Sequence, residues 1–250
     1  MATPHLVVRD LTLAYGERIL LKDLNFHINR GEIFIIMGGS GCGKSTLLRH
    51  LVGLLRPTQG QVLYGEVDFW SADDQTRRDI LRRIGILYQS GALWSSLTLA
   101  ENVSLPLYEY TDLDAGTIRE LSLLKLALVG LSGFEDYYPY QISGGMQKRA
   151  GLARALALDP EILFFDEPSA GLDPISAKRL DDLILELRAS LGATVVMVTH
   201  ELPSILALGT NSIFLDAETK TAIASGPPRV LIESSPNPKV REFLTRGGTL

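Results

Sequence analysis

A glycine-rich segment that joins an apolar run to a helix-like stretch constrains this chain more than any other part of its sequence. Residues 32–37 form the apolar run, which is typical of a parallel strand buried on both faces, and residues 45–55 have helical spacing. Between them the sequence fits the pattern G-x-x-x-x-G-K-[ST], which requires a strand before it and a helix after it. This predicted phosphate-binding loop consists of Gly38, Gly39, Ser40, Gly41, Cys42, Gly43, Lys44, Ser45 and Thr46.

The backbone of such a loop can bind the phosphates of a nucleotide. Glycine tolerates positive φ and lets the main chain approach a ligand closely, and the N–H groups at the start of the following helix then face a phosphate. We expect Lys44 to reach the β- and γ-phosphate oxygens and the Ser45 hydroxyl to hold Mg²⁺. Cys42 is expected to serve as a small residue that contributes its backbone, without a redox role.

Two acidic residues follow another apolar run. Residues 162–165 predict a buried strand, and Asp166 and Glu167 come directly after it. Ligands of open α/β sheets bind at the carboxyl ends of the strands, so both acids are candidates for the nucleotide site. We expect Asp166 to hold Mg²⁺ and its waters, and Glu167 to orient or deprotonate an attacking water.

A second glycine-containing turn lies between the phosphate-binding loop and the acidic pair. Ser143, Gly144 and Gly145 precede a stretch with helical spacing. A Ser-Gly-Gly turn that opens a helix offers another set of backbone N–H groups for a γ-phosphate. One chain has little use for two such helix ends on one phosphate, whereas two copies arranged head to tail do. The sequence therefore predicts a functional dimer.

Apolar runs alternate with helical stretches along the chain, which predicts an α/β fold with a mainly parallel sheet. Two strands open the chain, and a helical lobe between about residues 91 and 160 is predicted as an insertion between two sheet strands. The predicted strands are residues 6–15, 19–28, 32–37, 84–88, 162–165 and 194–199; helices or their ends are predicted at residues 45–55, 102–107, 115–129, 147–158, 174–191, 230–232 and 239–244, with fraying at Gly247 and Gly248.

Composition excludes some classes of function. The 250 residues carry a net charge of −5 and a pI of about 5.4, so sequence-independent nucleic-acid binding is not expected. The basic cluster Arg77, Arg78, Arg82 and Arg83 is interrupted by other residues and predicts a solvated helix face. The single cysteine excludes an intrachain disulfide and a cysteine-based metal site, as expected in a reducing compartment.

No part of the sequence predicts a membrane span or a signal peptide. Apolar stretches stay well below the ~20 residues that span a bilayer. The first five residues lack a basic region followed by an apolar one. We therefore expect a cytosolic protein that meets a membrane only through a partner.

With these motifs in this order, the chain resembles the nucleotide-binding domain of ABC transporters over essentially its whole length. The LSGGQ signature of that family is matched within residues 142–147, with Ile142 in place of Leu and Met146 in place of Gln. Residues 169–174 resemble its D-loop, which contains Asp173, and residues 198–201 resemble its switch-histidine segment. The remaining matches are Gln89, which resembles the Q-loop glutamine that contacts Mg²⁺ and water, and Tyr15, which stands where the family stacks an aromatic ring on adenine.

The resemblance implies a P-loop NTPase, with a RecA-like parallel sheet core, an N-terminal antiparallel β part and an inserted helical subdomain. It implies one ABC ATPase domain over residues 1–250, with a core lobe of residues 1–90 and 161–250 and a helical subdomain of residues 91–160. At the end of a buried strand, His200 can donate a hydrogen bond to a γ-phosphate oxygen.

The implied cofactors are ATP and Mg²⁺. The catalytic residues would be Glu167, His200, Gln89 and Lys44, and the metal ligands would be Ser45, Gln89 and Asp166. Besides the phosphate-binding loop, the nucleotide would contact Tyr15, Ser143, Gly144, Gly145 and Asp173.

The substitution at Met146 leaves the groups that bind a γ-phosphate in place. The Ser-Gly-Gly-Met form, the phosphate-binding loop and residues 237–244 resemble the Mla-type, Mce-linked ATPases. That resemblance implies an ATP-hydrolysing subunit that couples dimer closure to phospholipid trafficking between inner and outer membranes. The alternative is the ATPase of a small-molecule importer of the amino-acid type, which shares nearly every motif.

The implied partners are a second copy of the chain, integral membrane permease subunits, and either a periplasmic Mce-type or a solute-binding subunit, without nucleic acid. The implied location is the cytoplasmic face of the bacterial inner membrane. Residues 90–102, with the aromatic residues Trp94, Tyr108 and Tyr110, are expected to form the groove for a permease helix, and a core role for these rings is the alternative.

Two other classes of function fit less well. An ABC-type ATPase that acts on DNA or ribosomes would show a long coiled-coil insert or two cassettes joined by a charged linker, and this sequence has neither. A P-loop switch or kinase would leave the turn at residues 143–145 without explanation.

Overall fold

The structure, a computed structural model, describes residues 4–245 of the chain. Its strands and helices are, in chain order, β1 (Pro4–Tyr15), β2 (Arg18–Asn29), β3 (Ile33–Gly38), α1 (Lys44–Leu51), β4 (Gln59–Tyr64), β5 (Val67–Asp68), α2 (Asp74–Leu81), β6 (Ile84–Leu87), α3 (Leu99–Tyr110), α4 (Ala115–Leu128), α5 (Gly144–Ala155), β7 (Ile162–Asp166), α6 (Pro174–Leu191), β8 (Thr194–Val198), α7 (Leu202–Leu208), β9 (Asn211–Asp216), β10 (Thr221–Ser225), α8 (Pro228–Ser234) and α9 (Pro238–Thr245). A short 3-10 turn at Pro139–Gln141 precedes α5.

The chain divides into two compact units. The first unit consists of Met1–Leu81 and Thr194–Leu250, and the second unit is Arg82–Ala193. The predicted division into a core lobe and a helical subdomain over residues 91–160 stays a prediction. Between β6 and β7, the described residues of the second unit form helices and turns.

The first unit contains an antiparallel sheet and a mainly parallel one. The antiparallel sheet has the strand order β2-β1-β4-β5. In the other, β3 pairs in parallel with both β8 and β9, and β10 is antiparallel to β9. Every residue of β3 and β8 is buried, as the continuous apolar runs predicted. The predicted α/β fold with an N-terminal antiparallel part is confirmed.

The second unit combines two parallel strands with packed helices. Strand β6 pairs with β7 from Ile84↔Ile162 to Leu87↔Phe165. Helix α5 packs on β6, and α3, α4 and α5 pack on one another. A Cβ at Gly85 would lie 2.3 Å from the Ala155 carbonyl oxygen, so glycine lets α5 approach the strand.

Helix starts follow local sequence signals. Thr98 and Glu101 form a reciprocal capping box at α3, and Asp114 caps α4 by accepting hydrogen bonds from Gly116 N and Thr117 N. Helix α6 spans the predicted residues 174–191, with Pro174 at its first position. No residue of α2 is buried, which confirms a solvated helix face for Arg77 and Arg78, whereas Arg82 and Arg83 lie in the turn after the helix.

The tail and the exposed aromatic rings were also predicted in part. Helices α8 and α9 contain the helices predicted at residues 230–232 and 239–244. Gly247 and Gly248 lie outside the described residues.

Trp94 is 62% exposed, and Tyr108 and Tyr110 are exposed as well, so the alternative of a core role for these rings is wrong.

Candidate functional site

In the first unit, the phosphate-binding loop and His200 follow neighbouring parallel strands. Ile36 of β3 is paired with Val198 of β8. The loop begins at the carboxyl end of β3, and His200 comes two residues after β8 ends. Parallel strands end at the same edge of a sheet, so the fold brings these predicted residues to one edge.

Three glycines of the loop are required by the loop's own backbone. Gly38, Gly41 and Gly43 have φ values of 148°, 73° and 100°. A Cβ at Gly38 would lie 2.3 Å from the carbonyl oxygen of Leu215, which no side chain can do without moving β9. Gly43 caps α1 in a left-handed conformation. The backbone conformation of the loop therefore requires these three glycines, whether or not a ligand is bound.

The loop carries one cation and one thiol. Lys44 Nζ donates hydrogen bonds to the carbonyl oxygens of Gly38, at 2.9 Å, and Gly39, at 3.0 Å, which holds the ammonium against the loop. Cys42 is 1% exposed, and burial raises the pKa of its thiol. A raised pKa disfavours the reactive thiolate, as expected for a residue that serves through its small size. Ser45 and Thr46 lie in the first turn of α1 and are half-buried.

In the second unit, Gln89 and the acidic pair follow the two parallel strands. Leu87 of β6 is paired with Phe165 of β7, so the segments that contain Gln89, Asp166 and Glu167 leave the same sheet edge. Gln89 is exposed and Asp166 is half-buried.

Glu167 combines burial with a strained backbone. It is 8% exposed and has a φ of 49°. A left-handed conformation costs a residue other than glycine about 1–3 kcal/mol, and such strain clusters at functional sites. The surrounding fold therefore keeps the Glu167 main chain in a strained conformation and its side chain buried.

The second glycine-containing turn differs from the loop. Ser143 caps α5, and its Oγ accepts a hydrogen bond from Met146 N at 3.3 Å. Gly144 is exposed and has no positive φ, and an added Cβ there would meet nothing within 4 Å. An added Cβ at Gly145 would make ordinary contact with Ser176 at 3.7 Å. The chain's own fold therefore does not require glycine at either position.

The remaining predicted residues lie at helix or strand ends. Asp173 caps α6 by accepting hydrogen bonds from Ile175 N and Ser176 N at 3.0 Å. Hydrogen bonds from the Ser176 hydroxyl and backbone lower the pKa of Asp173. His200 is exposed, with Nε2 3.5 Å from a Glu201 carboxylate oxygen. Tyr15 ends β1 and is 56% exposed, so its ring is accessible for stacking.

One residue at the second unit's sheet edge is not evident from the sequence. Lys148 of α5 is 6% exposed and donates a hydrogen bond to the main-chain carbonyl of Gln89. A lysine in a helix usually indicates a solvated face, and the small residues around this one are the only sequence signal of its burial.

Residues 4–245 contain no candidate membrane-spanning helix and no cluster of potential metal ligands. No helix in this part of the chain is long and apolar enough to cross a membrane. Three or more histidine, cysteine, aspartate or glutamate side chains suited to hold a metal ion do not come together there.

Comparison with known proteins identifies the family. The family model described as ABC transporter matches residues 21–170. The chain belongs to the ABC transporter family. An ABC cassette of known structure, the dimeric ATP-binding cassette MJ0796 in a post-hydrolysis state bound to ADP and Pi, matches it with a TM-score of 0.79 at 34% identity, over 88% of this chain and 97% of that one.

Two relatives show the range of ABC systems to which this chain is similar. The probable ribonucleotide transport ATP-binding protein mkl of Mycobacterium tuberculosis is 40% identical over 237 residues, or 95% of this chain. The chain spans 65% of the length of mkl. The intermembrane phospholipid transport system ATP-binding protein MlaF of Escherichia coli is 38% identical over 237 residues, or 95% of this chain and 87% of MlaF. The predicted family and the P-loop NTPase fold are confirmed.

Proposed function

We propose that this chain binds and hydrolyses ATP as the motor subunit of a membrane ABC transporter, and that it couples dimer closure and hydrolysis to transport. The phosphate-binding loop and the strained, buried Glu167 support an ATPase, because they supply a phosphate cradle and a fixed carboxylate. The dimeric state of the similar cassette MJ0796, bound to ADP and Pi, supports a paired arrangement.

The observation that carries the dimer proposal is the surplus of glycine at the start of α5. Gly144 has helical φ and open space around it, and glycine in a helix costs up to about 1 kcal/mol relative to alanine. Glycine there is useful when something outside the chain must approach the backbone closely. A γ-phosphate of ATP bound to the loop of a second copy is such a ligand, since the N-terminus of α5 favours an anion.

Each predicted residue then has a chemical role. Lys44 binds the β- and γ-phosphate oxygens, and Tyr15 stacks on the adenine. Glu167 orients or deprotonates the attacking water, and His200 donates to a γ-phosphate oxygen. Asp173, as the cap of α6, supports the helix beside Gly145.

The same motor would use Mg²⁺ together with ATP. We assign Ser45, Gln89 and Asp166 as its protein ligands, since hydroxyl, amide and carboxylate oxygens are the hard donors that Mg²⁺ takes beside substrate phosphates. When bound, the ion would supply positive charge that neutralises the phosphates during transfer.

Phospholipid trafficking between membranes is the cargo function that we favour. The similarity to MlaF, a protein of an intermembrane phospholipid transport system, supports it, together with Met146 in the signature turn. Import of a small molecule is the second candidate, and the similarity to mkl, named a probable ribonucleotide transport protein, favours that one.

The proposed partners are a second copy, permease subunits and a periplasmic Mce-type subunit, at the cytoplasmic face of the bacterial inner membrane. The exposed ring of Trp94 supports a docking surface for a permease helix. Asn102 is buried and holds the Trp94 main chain at both N, 2.8 Å, and O, 3.1 Å, so this segment presents the ring in a fixed position.

Replacing the proposed base tests the ATPase. Glu167→Gln is expected to keep ATP binding, to accumulate an ATP-bound dimer and to lower turnover by about 10²–10⁴-fold. Glu161→Gln is the matched control, because this carboxylate lies just before β7 and pairs with Arg83 at 3.6 Å. Hydrolysis at the wild-type rate by Glu167→Gln would contradict the assignment.

Reconstitution tests the cargo. The membrane complex that co-purifies with the chain is placed in vesicles with labelled phospholipid, and ATP-dependent transfer to acceptor vesicles is measured. Transfer that stops with Glu167→Gln supports phospholipid. ATP-dependent uptake of a soluble small molecule without lipid transfer supports the second candidate.

A further inference from the structure

Lys148 is a buried cation for which the proposed chemistry has no role so far. It lies in α5, five residues after the Ser143 cap, and is 6% exposed. Burying an ammonium group is costly unless it is hydrogen-bonded or paired. Its hydrogen bond goes to the carbonyl oxygen of Gln89. The side chain is therefore held at the sheet edge where β6 and β7 end.

The acceptor belongs to a tight turn. Gly91 N donates to Tyr88 O at 2.8 Å, and Gly91 has a φ of 74°, so residues 88–91 form a closed turn with Gln89 at its second position. The ammonium of Lys148 donates to the main-chain carbonyl of Gln89 itself, which is attached to the same Cα as the Gln89 side chain. Movement of that carbonyl would rotate the Gln89 side chain with it.

The same helix fixes the rest of the segment. Arg154 donates from Nη1 to Ala92 O at 2.8 Å and from Nη2 to Gly91 O at 3.0 Å. A Cβ at Gly151 would lie 2.9 Å from the Gly91 carbonyl oxygen, so α5 and the segment are in direct backbone contact. Ala92 has a φ of 49°, and this strained conformation persists because the contacts from α5 hold it.

The charge of Lys148 is linked to the acidic pair. Burial lowers the pKa of Lys148, while the negative charges of Glu167 and Asp166 act in the opposite direction and raise it. The Lys148 side chain thus donates a hydrogen bond to the turn that contains Gln89 and is attracted to Asp166 and Glu167 at the end of β7.

We propose that Lys148 is a positioning residue of the ATPase site, which fixes the main chain of Gln89 and through it places the Gln89 side chain. This inference rests on the proposed function, in which Gln89 contacts Mg²⁺ and the attacking water. Outer-shell partners of metal ligands contribute about 10–100-fold to metal affinity or activity. Lys148 is such a partner, since its hydrogen bond fixes the main chain of Gln89.

The test is a double-mutant cycle in the full chain, read out by ATP hydrolysis over a range of Mg²⁺ concentrations. Lys148→Met is expected to lower kcat by about 10–100-fold and to raise the Mg²⁺ concentration for half-maximal rate. Binding of ATP, measured with a fluorescent analogue, should change by less than about threefold, because the loop of the first unit is unaltered. Lys148→Arg, which keeps the cation and its donors, should restore most of the rate.

The Gln89→Ala background separates positioning from a general effect on the fold. If Lys148 acts through Gln89, adding Lys148→Met to Gln89→Ala costs less than about threefold more. If the two losses multiply instead, Lys148 acts by another route and the proposal is overturned. A wild-type kcat and Mg²⁺ dependence for Lys148→Met would also overturn it.

Lys125→Met is the matched control. Lys125 is the other buried lysine of the second unit, 4% exposed, and it pairs with Asp159 at 2.5 Å. Its loss should leave kcat and the Mg²⁺ dependence within about twofold of wild type.

If Lys148→Met does not fold, as judged by thermal unfolding, Lys148→Gln takes its place, because the amide keeps a donor for the carbonyl without the charge. A wild-type chain that does not hydrolyse ATP refutes the proposed function itself, a result distinct from the outcomes above.

Discussion

The two glycine-containing turns of this chain both lead into a helix, but the fold requires glycine in only one of them. In the phosphate-binding loop, Gly38, Gly41 and Gly43 have positive φ, and a Cβ at Gly38 would collide with the backbone of β9. In the turn that opens α5, Gly144 is exposed, has no positive φ and has free space around it. The fold of the first turn requires glycine, and the fold of the second turn does not.

This difference separates folding requirements from binding requirements. A glycine that the backbone requires says little about ligands by itself, because any loop of that shape would need it. A glycine in a helix that the fold does not require points to a close approach from outside. For that reason the turn at residues 143–145 supports a dimer more strongly than the phosphate-binding loop does.

The largest effect is expected at Gly38. Gly38→Ala should lower the free energy of unfolding by about 3 kcal/mol, because the new Cβ would stand 2.3 Å from a backbone oxygen at a φ of 148°. Urea unfolding measures this loss. Gly39→Ala is the control, because no positive φ and no atom within 4 Å oppose a Cβ there. Equal stability of the two variants would remove the contrast between the turns.

At Gly144 the expected changes in stability and in function have opposite signs. Gly144→Ala should leave the unfolding free energy unchanged or raise it by up to about 1 kcal/mol, since alanine favours a helix. The same variant should bind ATP as a monomer yet form less ATP-dependent dimer, which light scattering measures in the Glu167→Gln background. Unchanged dimer formation would show that the glycine serves no ligand from outside.

The smallest effect concerns the cap of the helix beside Gly145. The pKa of Asp173 is lowered in the folded chain, chiefly by the Ser176 hydroxyl. Its contribution to stability is therefore fully present above the ordinary aspartate pKa of 3.8 and is lost as the pH falls through the lowered value. The difference in urea midpoint between wild type and Asp173→Asn should stay constant at neutral pH and shrink below that pKa. A difference that does not vary with pH would contradict a role for the charge.

Much of the fold could be predicted because its central strands are unusually apolar. Strands β3, β7 and β8 appear as uninterrupted apolar runs, and Pro174 marks the start of α6. Strand β4 was missed because its first three residues, Gln59, Gly60 and Gln61, are polar and exposed. Strands β9 and β10 and helix α7 were not predicted either, since their apolar residues come in short runs beside polar ones, as at Asn211 and Ser212 of β9.

The site was predicted by motif, and its supporting contacts were not. The sequence order of Lys44, Glu167 and His200 predicts a nucleotide site, since each follows an apolar run. The contact of Lys148 with Gln89 joins residues far apart in the sequence, and no local pattern distinguishes it from a solvated lysine. The same holds for the contrast between Gly38 and Gly144, which depends on φ and on neighbouring atoms.

Mixing two defective variants tests the head-to-tail dimer most directly. Lys44→Ala removes the loop cation, and Ser143→Arg blocks the second turn, so each variant alone should hydrolyse little ATP and form little ATP-bound dimer. In a mixed head-to-tail dimer, the intact loop of one copy meets the intact turn of the other, and one complete site forms. A head-to-tail dimer predicts that the mixture regains hydrolysis and ATP-bound dimer above the sum of the separate variants. Activity that stays at that sum would contradict it.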